Sequence, residues 1–227
     1  MLAENISSKP SDSRLRSIRR RISQLFTPTR LLDLLPIFIL GIVLALLALY
    51  VPSFFNSRNI VNIFVQASTL GIMAIGMTAV MVGGGIDLSI PSVMALSAIF
   101  GAMHMQNGGG IAESCLIMLV VGCVAGAING FAVAYLKMIP FVVTLAMMTI
   151  ASGTAIWITN SVSVPVVNED FFSVILDRIF DIPRPILIMV VMVLIATLVF
   201  KRTLLGRWLY AVGTNAKTAR VSGVPVD

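Results

Sequence analysis

The chain is 227 residues long, 58% hydrophobic and only 11% charged. A soluble core cannot absorb that much apolar surface, so the composition excludes an ordinary soluble enzyme or binding module and leaves a polytopic membrane protein. The formal net charge is +6, but the basic residues are bunched, which describes membrane topology rather than a nucleic-acid partner.

Residues 1–30 carry Lys9, Arg14, Arg16, Arg19, Arg20, Arg21 and Arg30, with Leu15, Ile18, Ile22, Leu25 and Phe26 recurring at helical spacing. The pattern predicts a short amphipathic helix resting on anionic membrane lipids. The apolar run behind it is long and no A-x-A-like cleavage site follows, so residues 1–33 are read as a cytoplasmic lead-in and not as a cleaved signal. Six apolar segments come next, near 34–51, 60–82, 90–103, 115–136, 141–158 and 186–200. A spanning helix needs about 20 residues, with ~17 at the lower end, so the third and sixth are short and the third is a candidate re-entrant segment.

Charge decides between the topologies. With six crossings and the N-terminus inside, the inner face holds the seven basic residues before Leu34, then Lys137, then Lys201, Arg202, Arg207, Lys217 and Arg220. Only Arg58, Arg178 and Arg184 fall outside, a ratio of 13 to three. Without a crossing by the third segment the ratio becomes nine to seven. The positive-inside rule selects six crossings with both ends cytoplasmic. The expected fold is therefore all-α and polytopic, with about six transmembrane helices in residues 34–200 and a cytoplasmic segment over 201–227.

Between the second and third segments runs Met81-Val-Gly-Gly-Gly-Ile-Asp-Leu-Ser-Ile-Pro-Ser92. Three glycines break a long apolar helix, and a lone carboxylate, Asp87, follows with Ser89. Two readings stand. An unwound turn at bilayer depth must line a cavity or be buried in protein, and a carboxylate there marks a functional site. Alternatively the stretch is a cytoplasmic turn with Asp87 as a helix cap.

The fourth segment holds Gly122, Gly126 and Gly130 at four-residue spacing, the pattern that lets another membrane helix approach closely. Beside them Asn129 is read as an interhelical hydrogen-bonding group, with contact to a transported solute as the second reading. Cys115 and Cys123 share this segment; at ~1.5 Å rise per residue they lie about 12 Å apart, beyond disulfide reach. His104 is the single histidine, and no C-x-x-C or H-E-x-x-H pattern occurs, so neither a metal site nor histidine-based catalysis has a foundation.

The stretch 161–185 is the longest external loop expected. Phe172, Ile175, Leu176 and Ile179 form an apolar stripe that predicts a short amphipathic helix, either a lid over the helix ends or a docking element. After the sixth segment, Gly213 is expected to break the chain, Asn215 to cap two helical turns over 216–222, and Gly223 and Pro225 to end them. Two turns facing the cytosol are marginal alone and are best explained as an element seated in another protein.

Four stretches, in order, resemble one family. They are Gly84-Gly-Ile-Asp-Leu-Ser89, Gly126-Ala-Ile-Asn-Gly130, Pro140-Phe-Val-Val-Thr-Leu145, and Gly206-Arg-Trp-Leu-Tyr-Ala-Val-Gly213 with Asn215, Ala219, Arg220, Ser222 and Gly223. Together they resemble the permease subunit of carbohydrate-type bacterial ABC importers, the ribose, galactose and xylose branch, over nearly all of residues 34–227. Pro91, Thr214 and Ala146 depart from the family pattern, each standing where a glycine is usual.

The resemblance implies a multi-pass subunit of the bacterial inner membrane with a cytoplasmic N-terminus. It further implies a second permease subunit, a periplasmic substrate-binding protein, and a cytoplasmic ABC ATPase engaged through Gly213, Asn215, Ala219, Arg220, Ser222 and Gly223. ATP and Mg would belong to that ATPase, since this chain has no G-x-x-x-x-G-K-[ST] run and no cofactor is expected in it. Asp87, Ser89, Asn129, Phe141 and Thr144 are the candidates for the helix break or the translocation path. An aromatic face and a hydroxyl at Phe141 and Thr144 suit a sugar, although a packed membrane phenylalanine is the plainer reading.

Three other readings compete. An ion-coupled secondary transporter would use Asp87 for a proton, but such proteins carry more intramembrane ionisable groups and visible repeats. An intramembrane enzyme needs a nucleophile with a positioned base, which one histidine and scattered serines do not supply. An ABC permease for an amino acid or another small polar solute stands closest. Members of the resembled family continue beyond the ATPase-coupling segment, so a C-terminally truncated permease is expected.

Overall fold

A computed structural model of the protein describes residues 28–166 and 168–226. The expected lead-in helix lies, up to residue 27, outside the described residues. The chain divides into two compact units, one ending at Ile60 and the other beginning at Val61.

In the first unit, α1 (Pro28–Tyr50) contains Pro36 and exposes apolar side chains along its length, among them Ile37, Phe38, Leu40, Ile42 and Leu46. The turn after it closes when Asn59 Nδ2 donates to the Phe54 carbonyl at 2.8 Å.

The second unit holds the remaining elements. Helix α2 (Ser57–Val82) runs into it and is followed by α3 (Ile90–Gln106), α4 (Ile111–Ala134) and α5 (Pro140–Thr159). Beyond these come α6 (Glu169–Leu176), a two-residue antiparallel pair β1 (Arg178–Ile179) and β2 (Ile182–Pro183), α7 (Arg184–Arg202) and α8 (Leu204–Val221). The architecture is all-α apart from that pair, and polytopic. Among the described residues, α2, α4, α5 and α7 are long and apolar enough to cross a membrane, and Leu34–Tyr50 and Ile90–Gln106 are shorter apolar helical stretches. The third apolar segment is short, as expected. The sixth is not, because α7 extends through Arg184 and Arg202: hydropathy ends at the first charge, whereas backbone hydrogen bonding continues through it.

Helices α3, α4 and α5 form the packed centre of this unit. On α5, Val143, Thr144, Met147, Ala151 and Ala155 are buried at three- and four-residue spacing, one face of a helix. Facing them are Ser97, Gly101, Ala102 and Met105 of α3, and Ser114, Ala125 and Asn129 of α4. The core is small-residue packing, which suits membrane helices whose outward faces remain apolar. Two of its buried hydroxyls bond locally: Ser97 Oγ donates to the Val93 carbonyl at 2.7 Å and Ser114 Oγ to the Gly110 carbonyl at 2.9 Å.

Among the described residues, glycines outside the four-residue repeat also lie against neighbouring helices. A Cβ on Gly101 would enter the Met118 side chain, and one on Gly71 would meet Met189 Sδ of α7. Gly122 approaches only Ser97 Oγ, at 4.0 Å, while Gly126 and Gly130 are exposed with nothing within 4 Å of a Cβ there. Among the described residues, no other helix lies within 4 Å of a Cβ at Gly126 or Gly130. Helix α4 is turned so that Ala125 and Asn129 face inward, and each glycine, one residue further on, is rotated about 100° away.

At one end of the bundle, Gly108 (φ +84°) and Gly109 close the α3–α4 turn beneath His104, whose Nε2 lies 3.0 Å from Glu113 Oε2. There too Gln106 Nε2 donates to the Pro165 carbonyl at 2.7 Å. The short helix expected in the loop 161–185 is present as α6, with Asn168 Oδ1 accepting from Phe171 N–H at 3.2 Å. Ile179 lies outside it, in β1, so the expected stripe ends at Leu176. Arg184 ties α7 back to α6 and its following turn, with Nη2 2.7 Å from Asp177 Oδ2 and Nη1 donating to the Val174 carbonyl.

Candidate functional site

The opposite end of the bundle holds the break between α2 and α3. The amides of Gly83, Gly84 and Gly85 fold back on the carbonyls of Ala79, Met81 and Val80 at 3.1, 3.0 and 2.9 Å. Gly84 takes a φ of +88°, a left-handed conformation that a side chain would strain. The chain then runs non-helically to Ser89, and Pro91 enters the first turn of α3, where its missing N–H costs nothing.

Within this stretch Asp87 Oδ1 accepts from the Ser89 backbone N–H at 2.7 Å and from Ser89 Oγ–H at 2.6 Å. Ser89 thus closes on Asp87 through both its amide and its hydroxyl. Ser89 is 2% exposed, and its Oγ accepts in turn from Asn129 Nδ2 of α4 at 3.0 Å. Since the hydroxyl proton is committed to Asp87, Asn129 must present its NH₂ group. The Asn129 Oδ1 is then left buried without a hydrogen-bond partner. Thr144 of α5, 4% exposed, donates through Oγ1 to the Ile86 carbonyl at 3.1 Å. The unwound turn is therefore held by side chains of both neighbouring helices, which supply partners to its backbone and to Ser89.

Four of the five candidates, Asp87, Ser89, Asn129 and Thr144, meet around this turn. Phe141 is 48% exposed, and its carbonyl accepts from Thr144 Oγ1 at 3.3 Å.

The segment at the C-terminal end reaches the same place. Helix α8 begins at an N-cap where Thr203 Oγ1 accepts from Gly206 N–H at 3.2 Å. It continues through Gly213 and kinks at Asn215 (φ −161°, ψ 100°), two residues later than the break expected at Gly213. Asn215 Oδ1 accepts from Thr218 N–H at 3.0 Å, an N-cap on the final turns. These turns end at Gly223 (φ +82°), with Val224 N–H on the Ala219 carbonyl and Gly223 N–H on the Arg220 carbonyl. Ala219 is buried, whereas Asn215, Arg220 and Ser222 are exposed. Beside the kink lies a cavity of about 390 Å³ lined by Tyr210, Thr214, Asn215, Thr218 and Ala219 among others.

Sequence reasoning named Pro140 and Gly213 only in other connections and did not name Ser152. Pro140 Cβ lies 3.6 Å from where a Gly85 Cβ would stand, Gly213 abuts the break, and Ser152 Oγ donates to Ser92 Oγ of α3 at 3.0 Å. The last had a signal: Thr144 and Ser152 are eight apart, polar residues on one face of an apolar helix.

A bundle of apolar helices with one junction unwound, a polar network inside it and a capped helix laid against it has the architecture of a polytopic membrane protein. Residues 59–227 match the family described as branched-chain amino acid transport system, permease component, and the chain belongs to that family. Among curated relatives, it is 38% identical over 189 residues to the "Probable ABC transporter permease protein y4mJ" of Sinorhizobium fredii, covering 82% of this chain and 56% of that protein. It is 33% identical over 206 residues to the ribose import permease protein RbsC of Escherichia coli, covering 89% and 64% respectively. With the autoinducer 2 import system permease protein LsrC of Yersinia enterocolitica it shares 35% over 200 residues, 88% of this chain and 54% of that protein. The resemblance to carbohydrate-type ABC permeases read from the four motifs is thereby borne out. The chain spans little more than half, and at most about two thirds, of the length of these relatives. No solved structure matches it.

Proposed function

We propose that this chain is a membrane-spanning permease subunit of an ATP-binding-cassette importer of the bacterial inner membrane, moving a sugar or sugar-like solute inward by alternating access. The observation that carries the reading is α8. A helix broken by a capped kink follows a spanning helix and packs at the same end of the bundle as the unwound α2–α3 junction. With the N-terminus inside, that end is cytoplasmic, where the final turns from Asn215 to Ser222 meet a partner ATPase that binds ATP and Mg. A second permease subunit encloses the path, and a periplasmic binding protein delivers the solute at the α6 end. The names of the relatives, ribose and autoinducer 2 permeases, support a polyhydroxylated substrate.

Asp87, Ser89, Asn129 and Thr144 act as the fastening of the broken helix at the inner end of the path, and Phe141 as an exposed aromatic beside it. A carboxylate already engaged by Ser89 suits that structural task better than proton coupling. The test is reconstitution of the assembled complex in proteoliposomes with its ATPase and binding protein. ATP-dependent uptake across a panel of sugars is expected; uptake driven by a proton gradient without ATP overturns the reading.

A further inference from the structure

The contact between α8 and the α2–α3 break is backbone against backbone. A Cβ on Gly213 would collide with the Val82 carbonyl, the last residue of α2. A Cβ on Gly84 would stand 3.5 Å from the Gly213 Cα. Leu209, one turn before Gly213 on the same helix face, places Cδ2 3.5 Å from the position of a Gly83 Cβ. Gly213 is helical and takes no left-handed φ, so the absence of a side chain there serves proximity rather than backbone conformation.

On its other side the break is clamped by the bundle. Thr144 holds the Ile86 carbonyl, Asn129 holds Ser89, and Pro140 lies against Gly85. Two residues beyond Gly213 the helix kinks at Asn215, so the body of α8 and its capped final turns are separate rigid pieces joined next to this contact. Contacts without an intervening flexible side chain pass displacement on instead of absorbing it.

We infer that Gly213 and Gly84, with Leu209 against Gly83, form the bearing through which movement of α8 is delivered to the α2–α3 break and from there to α3, α4 and α5. The inference rests on the transport reading above and assigns these residues a positioning role within it. Gly213 thus has a task apart from any contact with an ATPase, because it faces the break.

The test uses the assembled transporter with Cys115 and Cys123 replaced by serine and the pair Gly83→Cys and Leu209→Cys introduced. A Cβ at Gly83 meets only contacts of 3.4–3.6 Å, so that position accepts a side chain. ATP-driven solute uptake is compared in the same sample before and after oxidation and again after reduction, while ATPase retention is followed by co-purification. The expected result is a cross-link that stops uptake, is reversed by reductant, and leaves the ATPase bound. A fully cross-linked transporter that works at its reduced rate overturns the bearing while leaving the transport reading intact. Failure of the two cysteines to cross-link, both on direct oxidation and with a short bis-methanethiosulfonate reagent, overturns the contact itself. Absence of ATP-driven uptake in the unmodified complex overturns the transport reading and the bearing together. Gly213→Ala is the companion variant, expected to lower uptake with the ATPase still associated.

Discussion

Ser89 has one hydroxyl proton, and Asp87 takes it; this fixes the direction of the hydrogen bond between Ser89 and Asn129. Asn129 must then donate, so Asn129→Asp places a further acceptor against an oxygen that can only accept. We expect this variant to lose roughly 1–3 kcal/mol of stability, more than Asn129→Ala, which removes the donor without adding a charge. Thermal unfolding in detergent, followed through Trp157 and Trp208, checks the order; equal midpoints for the two variants contradict it. Thr144→Val keeps the shape of the side chain and deletes its bond to the Ile86 carbonyl, and is expected to cost about 1 kcal/mol where Thr144→Ser costs less.

Among the elements, the same substitution has different consequences at different glycines. At Gly206 a Cβ would run into the carbonyls of Val199 and Phe200, which form the corner between α7 and α8 and cannot step aside. At Gly101 it would meet Met118, whose unbranched side chain can change rotamer. Gly206→Ala is therefore expected to abolish or strongly reduce the yield of folded protein, and Gly101→Ala to be tolerated. At Gly130 nothing lies within 4 Å, and alanine is the better helix former by up to about 1 kcal/mol, so Gly130→Ala is expected to leave the isolated subunit unharmed or slightly stabilised. Folded yield on size-exclusion chromatography ranks the three. The cap at Asn215 offers another test: Asn215→Ala removes the acceptor for Thr218 N–H and is expected to loosen the final turns by about 1 kcal/mol, seen as faster amide exchange confined to residues after the kink.

For the molecule as a whole, two ends of the bundle are defined by contacts alone. One carries His104, Glu113, Gln106 and α6; the other carries the break, Pro140 and α8. In the proposed topology, with basic residues gathered inside, the second end is expected to face the cytoplasm. Single cysteines placed at Asn107 and at Asn215, in a chain free of Cys115 and Cys123, are expected to react with a membrane-impermeant maleimide from opposite sides in intact cells and inside-out vesicles. Labelling of both from the same side refutes the arrangement.

Composition alone decided that this is a helical membrane protein, because an apolar excess of this size has one solvent that suits it. Caps and breakers were legible for the same local reason: the glycine break, the Asn215 cap and the Gly223 stop each depend on residues within a turn of one another. The sequence also named Asp87, Ser89, Asn129 and Thr144 as polar exceptions in apolar surroundings. It did not say that they meet, since their meeting depends on how α3, α4 and α5 are rotated about their axes. That rotation also decided which small residues are buried, turning Ala125 and Asn129 inward and leaving Gly126 and Gly130 exposed. A four-residue repeat marks a helix face but not the neighbour it will find, and the contact of Gly213 with the end of α2 joins positions about 130 residues apart, a pairing that only tertiary packing sets.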